Sequence, residues 1–264
     1  MNSIEGGMDL KRKMTILNFD NAYKHQHFYR KMPYDWIDFT TLSGADGYCD
    51  EEAVTIIRER LKKAEKTDVH YIDSGNYHYV TYLYLEQIHV PFMLVLFDHH
   101  TDLQPSMFAE LLSCGSWVKR VLDENVYIQK VILIGAKEEL IRQIPKEYQE
   151  KVISFSESSM DMEQSVELFS ESGLLYPVYI SIDKDVLDES EVKTNWDQGS
   201  LTVRQLKKIY EHICEKHKIL GVDICGEIRE FEQVSQSELA FEKNSEANEE
   251  ILEMIEQESQ YLFE

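Results

Sequence analysis

Two carboxylates and two imidazoles lie within five consecutive residues of this chain, Asp98-His99-His100-Thr101-Asp102. In an extended chain successive side chains alternate, so Asp98, His100 and Asp102 point to one side and His99 to the other. Carboxylates and neutral imidazoles without thiolates suit Mn²⁺ and related divalent ions. The spacing therefore predicts a metal site, in which His99 packs or supports the ligands through hydrogen bonds.

A second acidic cluster, Asp183-Lys184-Asp185, lies further along the chain. A bridging carboxylate can hold two ions about 3.5–4 Å apart, and such a pair lowers the pKa of a water between them. That arrangement would supply a nucleophile without a serine or a cysteine. Asp98 and Asp183, the first residues of the two clusters, are the expected bridging groups. The remaining ligand candidates are Asp102 and His78 for one ion, and His100 and Asp185 for the other.

Both clusters directly follow apolar runs that have the length of a buried strand, Pro91–Phe97 and Pro177–Ile182. Two further polar segments, Ser74–His78 and Asp223–Glu227, follow two other predicted strands. Sites in open parallel sheets form beyond the carboxyl ends of the strands. We therefore expect all four polar segments to meet at one edge of one sheet.

Strands and amphipathic helices alternate along the chain, which predicts an α/β fold with three layers, α/β/α, around a mainly parallel sheet. We expect a single domain over residues 1–264, with residues 1–12 as a candidate disordered segment and an acidic C-terminal helix over residues 236–264. The predicted strands are Lys13–Phe19, Val69–Ile72, Pro91–Phe97, Lys130–Gly135, Lys151–Phe155, Pro177–Ile182 and Leu220–Ile224. The other predicted helices are Asp50–Lys66, Met107–Leu122, Met160–Ser172 and Thr202–Lys218, the last capped by Thr202.

The chain has 264 residues and a formal charge of −22. This acidic balance argues against nucleic acid or an anionic membrane as the partner, because both require cationic surfaces. It is compatible with a cationic small-molecule substrate, and equally with a charge that serves solubility alone. The four cysteines are widely spaced, no apolar stretch reaches transmembrane length and the start lacks a signal-peptide core, so the expectation is a cytoplasmic protein.

Taken together, the motifs resemble those of the arginase/agmatinase (ureohydrolase) family. FDHHTD is similar to the D-x-H-x-D signature of the family, and SIDKDVLD is similar to its S-x-D-x-D-x-x-D signature. SGNYH is similar to the G-G-D-H segment with one extra residue before the histidine, and VDICGE resembles the later D-x-x-E segment with a one-residue offset. The four segments occur in the family's order, and the resemblance covers Ile72 to Glu227.

The resemblance implies an arginase/deacetylase-like fold and two Mn²⁺ ions per chain, between which a bridging hydroxide attacks a guanidinium or amidine carbon. It also implies that Glu227 pairs with the cationic nitrogens of the substrate through a charge-assisted bond, and that Asp102 relays a proton to the leaving amine. Family members are commonly trimers or hexamers, so a homo-oligomer is a further implication. The implied ligands are His78, Asp98, Asp102 and Asp183 for one ion, and Asp98, His100, Asp183 and Asp185 for the other.

On the substrate side the chain departs from the family pattern. No histidine lies between His100 and His212, where arginases carry a histidine for proton transfer, and the corresponding region is Ser113–Trp117. His25 follows the first predicted strand, so we expect it near the same sheet edge as a candidate for the missing acid. The loop Lys193–Gly199 lacks the proline and glycine pattern of the family. Its candidates for lining the pocket are Asn195, Trp196 and Asp197.

Several other residues near the predicted edge have simpler interpretations. Isolated aspartates at strand ends commonly cap a helix or a turn. We therefore expect Asp73, Asp188 and Asp223 to act as caps. Cys114 is expected to be a small packing residue rather than a reactive thiol.

The sequence thus favours a binuclear Mn²⁺ hydrolase that cleaves a C–N bond of a guanidino, amidino or amide compound. A mononuclear Zn²⁺ amidohydrolase of the deacetylase type is an alternative, although Asp185, Asp102 and His78 favour two ions. A non-catalytic metal-binding relative is another, which the missing histidine favours. A phosphoesterase is a further alternative, because Asp-His-His also names another metal-dependent family, but no Asp-rich strand motif precedes Asp98.

Overall fold

Buried apolar segments form most strands of the protein, whose computed structural model describes residues 13–105, 111–158, 176–229 and 234–258. Strands of this type are expected where both faces of a sheet are covered. The strands of the described residues are β1 Met14–Asn18, β2 Tyr34–Asp38, β3 Tyr48–Cys49, β4 Val69–Tyr71, β5 Phe92–Phe97, β6 Leu112–Ser113, β7 Ile128–Ala136, β8 Val152–Ser156, β9 Val178–Asp183 and β10 Ile219–Cys225.

Two of the described helices begin at side-chain caps. Asp50 accepts the backbone N–H of Ala53 at 2.8 Å and starts the first helix. Thr202 and Gln205 form a reciprocal capping box, which confirms Thr202 as a cap. The α-helices of the described residues are α1 Glu51–Lys63, α2 Val80–Leu85, α3 Trp117–Glu124, α4 Glu138–Ile141, α5 Val203–Lys216 and α6 Val234–Gln257.

Eight strands form one sheet in the order β2-β1-β4-β10-β9-β5-β7-β8, and every neighbouring pair is parallel. Strands β3 and β6 pair separately as a short antiparallel ribbon. In the central pairs, Phe97 of β5 lies beside Ile182 of β9, and Asp183 of β9 lies beside Cys225 of β10. The central strands therefore end at one edge, as predicted.

Alternate residues of each strand belong to two separate hydrophobic cores. In β5, Met93, Val95 and Phe97 pack on the side that also carries α5 and α6. The neighbours of these residues, such as Leu94 and Leu96, pack on the side of α1, α2 and α3. The predicted three-layer α/β fold class with a mainly parallel sheet is confirmed.

Some predicted elements differ from the structure. The segment predicted as helix Met107–Leu122 includes strand β6, and α3 begins only at Trp117. The predictions for residues 1–12, for Met160–Ser172 and for residues 259–264 fall outside the described residues, and the single domain stays a prediction. None of the described helices combines the length and the apolar character that a membrane crossing requires.

Candidate metal centre

The polar segments that follow β4, β5 and β9 meet at the carboxyl edge of the sheet. Because Phe97 pairs with Ile182, the next residues along the two strands, Asp98 and Asp183, are brought side by side. His78 follows a short 3-10 turn, Gly75–Tyr77, that leads out of β4. The strand register therefore positions these side chains before any ligand is considered.

His78 is fully buried, and its Nδ1 atom faces three carboxylates. Nδ1 lies 3.3 Å from Oδ2 of Asp98 and 3.3 Å from Oδ2 of Asp102. It lies 3.4 Å from Oδ2 of Asp183. Among the described residues, neither His78 Nδ1 nor Asp98 Oδ2 has a hydrogen-bond partner. Buried polar atoms without partners are costly, and ligand-type atoms that converge in this way fit a bound cation.

The opposite nitrogen of His78 is held by a chain of hydrogen bonds. Ser181 lies 2.9 Å from Nε2 and donates its hydroxyl proton to Asp223 at 2.5 Å. Ser181 therefore accepts from Nε2–H, so that in the neutral imidazole the lone pair of Nδ1 faces the carboxylates. Asp223 is thus a buried residue of β10 that orients His78, and its interpretation as a cap is wrong. Burial raises the pKa of Asp223 to about 6.

His100 completes a second group of ligand-type atoms. Its Nδ1 lies 2.9 Å from Oδ2 of Asp185 and 3.5 Å from Oδ1 of Asp98. Its Nε2 lies 3.0 Å from Oδ1 of Asp197, so a carboxylate also orients this imidazole. Asp98 is common to the group of His78 and to the group of His100. Asp98 therefore links the two groups of candidate ligands.

Asp183 and Asp102 are fixed by donors on their other sides. Asp183 accepts the backbone N–H of Asp185 at 3.0 Å and the thiol of Cys225 at 3.1 Å. Asp102 has a left-handed backbone, with φ of 49°, and accepts the indole N–H of Trp117 at 2.6 Å. The structure therefore brings the six predicted ligands to one pocket wall: His78, Asp98, His100, Asp102, Asp183 and Asp185.

The carboxylates dominate the electrostatics of this wall. Burial would lower the pKa of His78 and that of His100, but the surrounding aspartates raise both. Burial would raise the pKa of Asp98, but the two nearby imidazoles bring it below its usual value. Burial and Asp98 together raise the pKa of Asp102 to about 6, and burial with Asp183 raises that of Asp185. In this wall the carboxylate groups outnumber the positively charged groups, which is the electrostatic pattern of a candidate cation site.

His99 lies beside the centre without entering it. Its ring is buried, and its backbone N–H donates to Oδ1 of Asp185 at 3.0 Å. The nearest carboxylate oxygens to its ring belong to Glu157 at 3.7 Å and to Asp197 at 3.8 Å. This position agrees with the expected supporting or packing role.

The six residues line a cavity of about 450 Å³. The described lining residues include no lysine or arginine, and Asp46 adds a carboxylate beyond the ligand set. Burial, with Asp102 nearby, raises the pKa of the Cys114 thiol in this wall to about 12, which agrees with a packing role. Other residues of the wall are Tyr48, Asn76, Gln104, Ser113, Ser116 and Trp196.

Asn76 joins three loops around the mouth of the cavity. Its Oδ1 accepts hydrogen bonds from Asn195 and from the indole of Trp196, each at 2.9 Å. Its amide donates to Oδ1 of Asp46 at 2.6 Å. Of the three candidates in the loop, Trp196 lines the cavity. Asn195 contacts Asn76 and Asp197 contacts His100, two residues that line it.

The structure does not bring Glu227 or His25 to the cavity. Glu227 is fully buried, and its carboxylate pairs with Lys184. Gly226 has a φ of 91°, which turns the chain just before Glu227. The imidazole of His25 is exposed and stacks on Phe241, with 4.7 Å between ring centroids.

Sequence reasoning missed several residues that support the ligands. Ser181 precedes Asp183 by two positions in β9, so strand alternation already places both on one face. Cys225 is the register partner of Asp183, which only the strand order reveals. Trp117 reaches Asp102 from helix α3, and Asp197, already a candidate for the pocket, reaches His100 from a separate loop. No periodic signal in the sequence indicates these two contacts.

A parallel α/β sheet with aspartates and histidines gathered at its carboxyl edge is the arrangement of a candidate metal-binding protein. Comparison with known proteins identifies the family. Residues 6–233 match the Arginase family, and the chain belongs to that family. An uncharacterized protein of Thermotoga maritima is 30% identical over 217 residues, which cover 80% of this chain and 78% of that protein.

Solved structures of the family share the fold at low sequence identity. Formimidoylglutamase from Bacillus subtilis has a TM-score of 0.66 at 14% identity, covering 94% of this chain and 88% of that one. Arginase from Medicago truncatula has a TM-score of 0.65 at 15% identity, covering 92% and 88%. Proclavaminate amidino hydrolase from Streptomyces clavuligerus has a TM-score of 0.64 at 15% identity, covering 92% of each chain.

Proposed function

We propose that the protein is a metal-dependent hydrolase that cleaves a non-peptide C–N bond of a small molecule. The observation that carries the proposal is the convergence of six ligand-type side chains, with buried atoms of His78 and Asp98 that lack hydrogen-bond partners among the described residues. The names of the structural neighbours, a formimidoylglutamase, an arginase and an amidino hydrolase, support C–N hydrolysis.

Two Mn²⁺ ions fit the donor set, because it consists of carboxylates and imidazoles. When bound, such ions would supply a water activated for attack. The chain itself fixes the donors through the partners of its two imidazoles, Ser181 for His78 and Asp197 for His100. Proposed ligands are His78, Asp98, Asp102 and Asp183 for one ion, and Asp98, His100, Asp183 and Asp185 for the other.

The cavity favours a cationic or neutral substrate. The ligand carboxylates lie in the wall, and the described lining residues include no lysine or arginine that would pair with a substrate anion. Asp46 also lines the wall, where Arg229 pairs with its carboxylate at 3.0 Å. Tyr48 and Trp196 offer aromatic faces in the same wall, and such faces attract cationic groups. The acidic charge of the chain would draw a cation toward this opening.

The proton for the leaving nitrogen is assigned to Asp102. Its carboxylate is buried in the cavity wall beside His78, and a carboxyl group in that position could relay a proton to a substrate bound in the cavity. His25 stacks on Phe241 and lies outside the wall, so the proposal gives it no catalytic role.

The test combines metal content with turnover. Protein reconstituted with Mn²⁺ is expected to hold about two ions per chain, measured by elemental analysis after desalting. The loaded protein is then assayed for urea or ammonia release from guanidino, amidino and amide compounds. Release from at least one class is the expected outcome, and inactivity across all three with both ions bound would favour a non-catalytic metal-binding protein.

A single Zn²⁺ ion is the second candidate, supported by one observation. Asp98, His100 and Asp185 bring three donor atoms within 4.8 Å of one another without help from His78. That group alone would serve a mononuclear amidohydrolase. Elemental analysis separates the two, because at most one ion, retained as Zn²⁺ in the presence of Mn²⁺, would replace the binuclear proposal.

A further inference from the structure

A buried ion pair lies directly behind the metal centre. The ammonium group of Lys184 pairs with the carboxylate of Glu227, and both side chains have no solvent exposure. Lys184 stands between the proposed ligands Asp183 and Asp185 in the sequence. Burying two charges is costly unless their geometry and further hydrogen bonds compensate, so the surroundings of the pair matter.

Amide side chains saturate the ion pair. Glu227 accepts hydrogen bonds from Gln26 at 2.7 Å, from Asn244 at 2.9 Å and from Asn248 at 2.7 Å. The carbonyl oxygen of Asn248 accepts from Lys184 at 3.0 Å. Asn244 and Asn248 lie one turn apart on α6 and are fully buried. This network connects the terminal helix to the segment that carries two proposed ligands.

The backbone beside Glu227 leaves its side chain little choice of direction. At Gly226 the chain passes so close to the ligand segment that an added Cβ would lie 2.5 Å from Oδ1 of Asp183 and 2.7 Å from the backbone nitrogen of Lys184. The backbone N–H of Glu227 donates to the carbonyl of Asp73 at 3.1 Å. Together these contacts direct the carboxylate of Glu227 away from the cavity and onto Lys184.

We propose that Lys184 and Glu227 are positioning residues for the metal centre, and that Glu227 does not bind the substrate. The proposal rests on the metal centre of the proposed function. Lys184 anchors the short 3-10 turn Lys184–Val186, which Asp183 caps and which contains Asp185. The ammonium group of Lys184 already pairs with the carboxylate of Glu227. A cationic substrate would therefore be recognised by the residues that line the cavity.

The test measures Mn²⁺ affinity by calorimetry and needs no substrate. Lys184→Met and Glu227→Gln are each expected to weaken Mn²⁺ binding about 10–100-fold, the range for residues that orient ligands. The double variant Lys184→Met/Glu227→Gln carries no charge at either position and keeps the amide side chains of Gln26, Asn244 and Asn248, so its affinity is expected to recover most of the loss. Lys193→Met is the matched control, since Lys193 forms an exposed pair with Glu189.

Folding is checked by circular dichroism of each metal-free variant, and the double variant covers the case in which a single variant fails to fold. Unchanged Mn²⁺ affinity in folded Glu227→Gln, with a raised KM for an active substrate, would overturn the proposal and make Glu227 a substrate-binding residue. Losses that simply add in the double variant would also overturn it. If the unmodified protein binds no metal ion, the proposed function itself fails. If the unmodified protein binds Mn²⁺ and the single variants bind it with the same affinity, only the positioning role fails.

Discussion

Asp98 divides its two oxygen atoms between two imidazoles. Oδ2 lies 3.3 Å from Nδ1 of His78, whereas Oδ1 lies 3.5 Å from Nδ1 of His100. Asp185 has one oxygen near His100 and gives the other to the backbone N–H of His99. Asp98 therefore contacts both imidazoles, whereas Asp185 contacts only that of His100, although both residues follow buried strands.

This difference predicts unequal losses of metal. Asp98→Ala is expected to abolish the binding of both ions, because both groups depend on its carboxylate. Asp185→Ala is expected to spare the ion beside His78. Elemental analysis after reconstitution with Mn²⁺ checks the stoichiometry, and Asp188→Ala, outside the cavity lining, is the control. Equal retention in the two ligand variants would contradict the assignment of Asp98 as the shared ligand.

At the scale of elements, the close passage of β10 past the end of β9 depends on Gly226. Its φ of 91° lies in the left-handed region, where a side chain costs about 1–2 kcal/mol. Gly47 has a similar φ of 71°, but an added Cβ there would meet nothing within 4 Å. An alanine at Gly47 would therefore introduce backbone strain alone, whereas an alanine at Gly226 would introduce the same strain and also a clash with Asp183 and Lys184.

Gly226→Ala is accordingly expected to lower the melting temperature and to abolish Mn²⁺ binding, since its Cβ would displace Asp183. Gly47→Ala is expected to lower the melting temperature by the strain alone and to bind Mn²⁺ nearly as well as the unmodified protein. Thermal unfolding of the metal-free proteins, followed by calorimetric titration with Mn²⁺, measures both effects. Tight binding by folded Gly226→Ala would show that the passage is less constrained than described.

The sequence predicted the elements that the site needs better than those around it. Strands β4, β5, β9 and β10 are buried on both faces, so they read as apolar runs and were found. Strand β2, Tyr34–Asp38, is an edge strand with exposed and half-exposed residues, and helix α2, Val80–Leu85, is apolar on nearly every side. Neither segment shows the periodicity that a prediction requires.

Within the site, the ligands were predictable and their supports were not. Alternation along one strand sorts Asp98, His100 and Asp102 from His99, and it needs only local sequence. The direction of Glu227 depends on a left-handed glycine and on Lys184, which lies in the turn after β9. A one-residue offset in a motif conceals such a change, because the residue types match while the side chain faces elsewhere.

At the scale of the whole molecule, one buried histidine controls part of the acid stability. Burial lowers the pKa of His70 to about 3, far below the usual value of 6.5. Below pH 6.5 the unfolded chain takes up a proton at this position and the folded chain does not. The stability that His70 contributes is therefore fully present above pH 6.5 and is lost progressively as the pH falls toward 3.

Replacing His70 should make that loss smaller. For metal-free His70→Gln we expect the free energy of unfolding to fall less steeply between pH 6.5 and 4, by up to about 1.4 kcal/mol per pH unit, the value for one proton. Urea unfolding at a series of pH values measures the slope. His89→Gln is the control, since His89 is exposed; an equal slope in both variants would show that His70 is not responsible.

The position of β10 between β4 and β9 makes it the strand that joins the two parts of the site. Among the described strands of the sheet β10 is the last in sequence, yet it connects the part that leads to His78 to the part that carries Asp98 and Asp183. Its pairing with both neighbours keeps the imidazole of His78 beside the carboxylates, so a change that loosens β10 would separate the donor atoms without touching any of them.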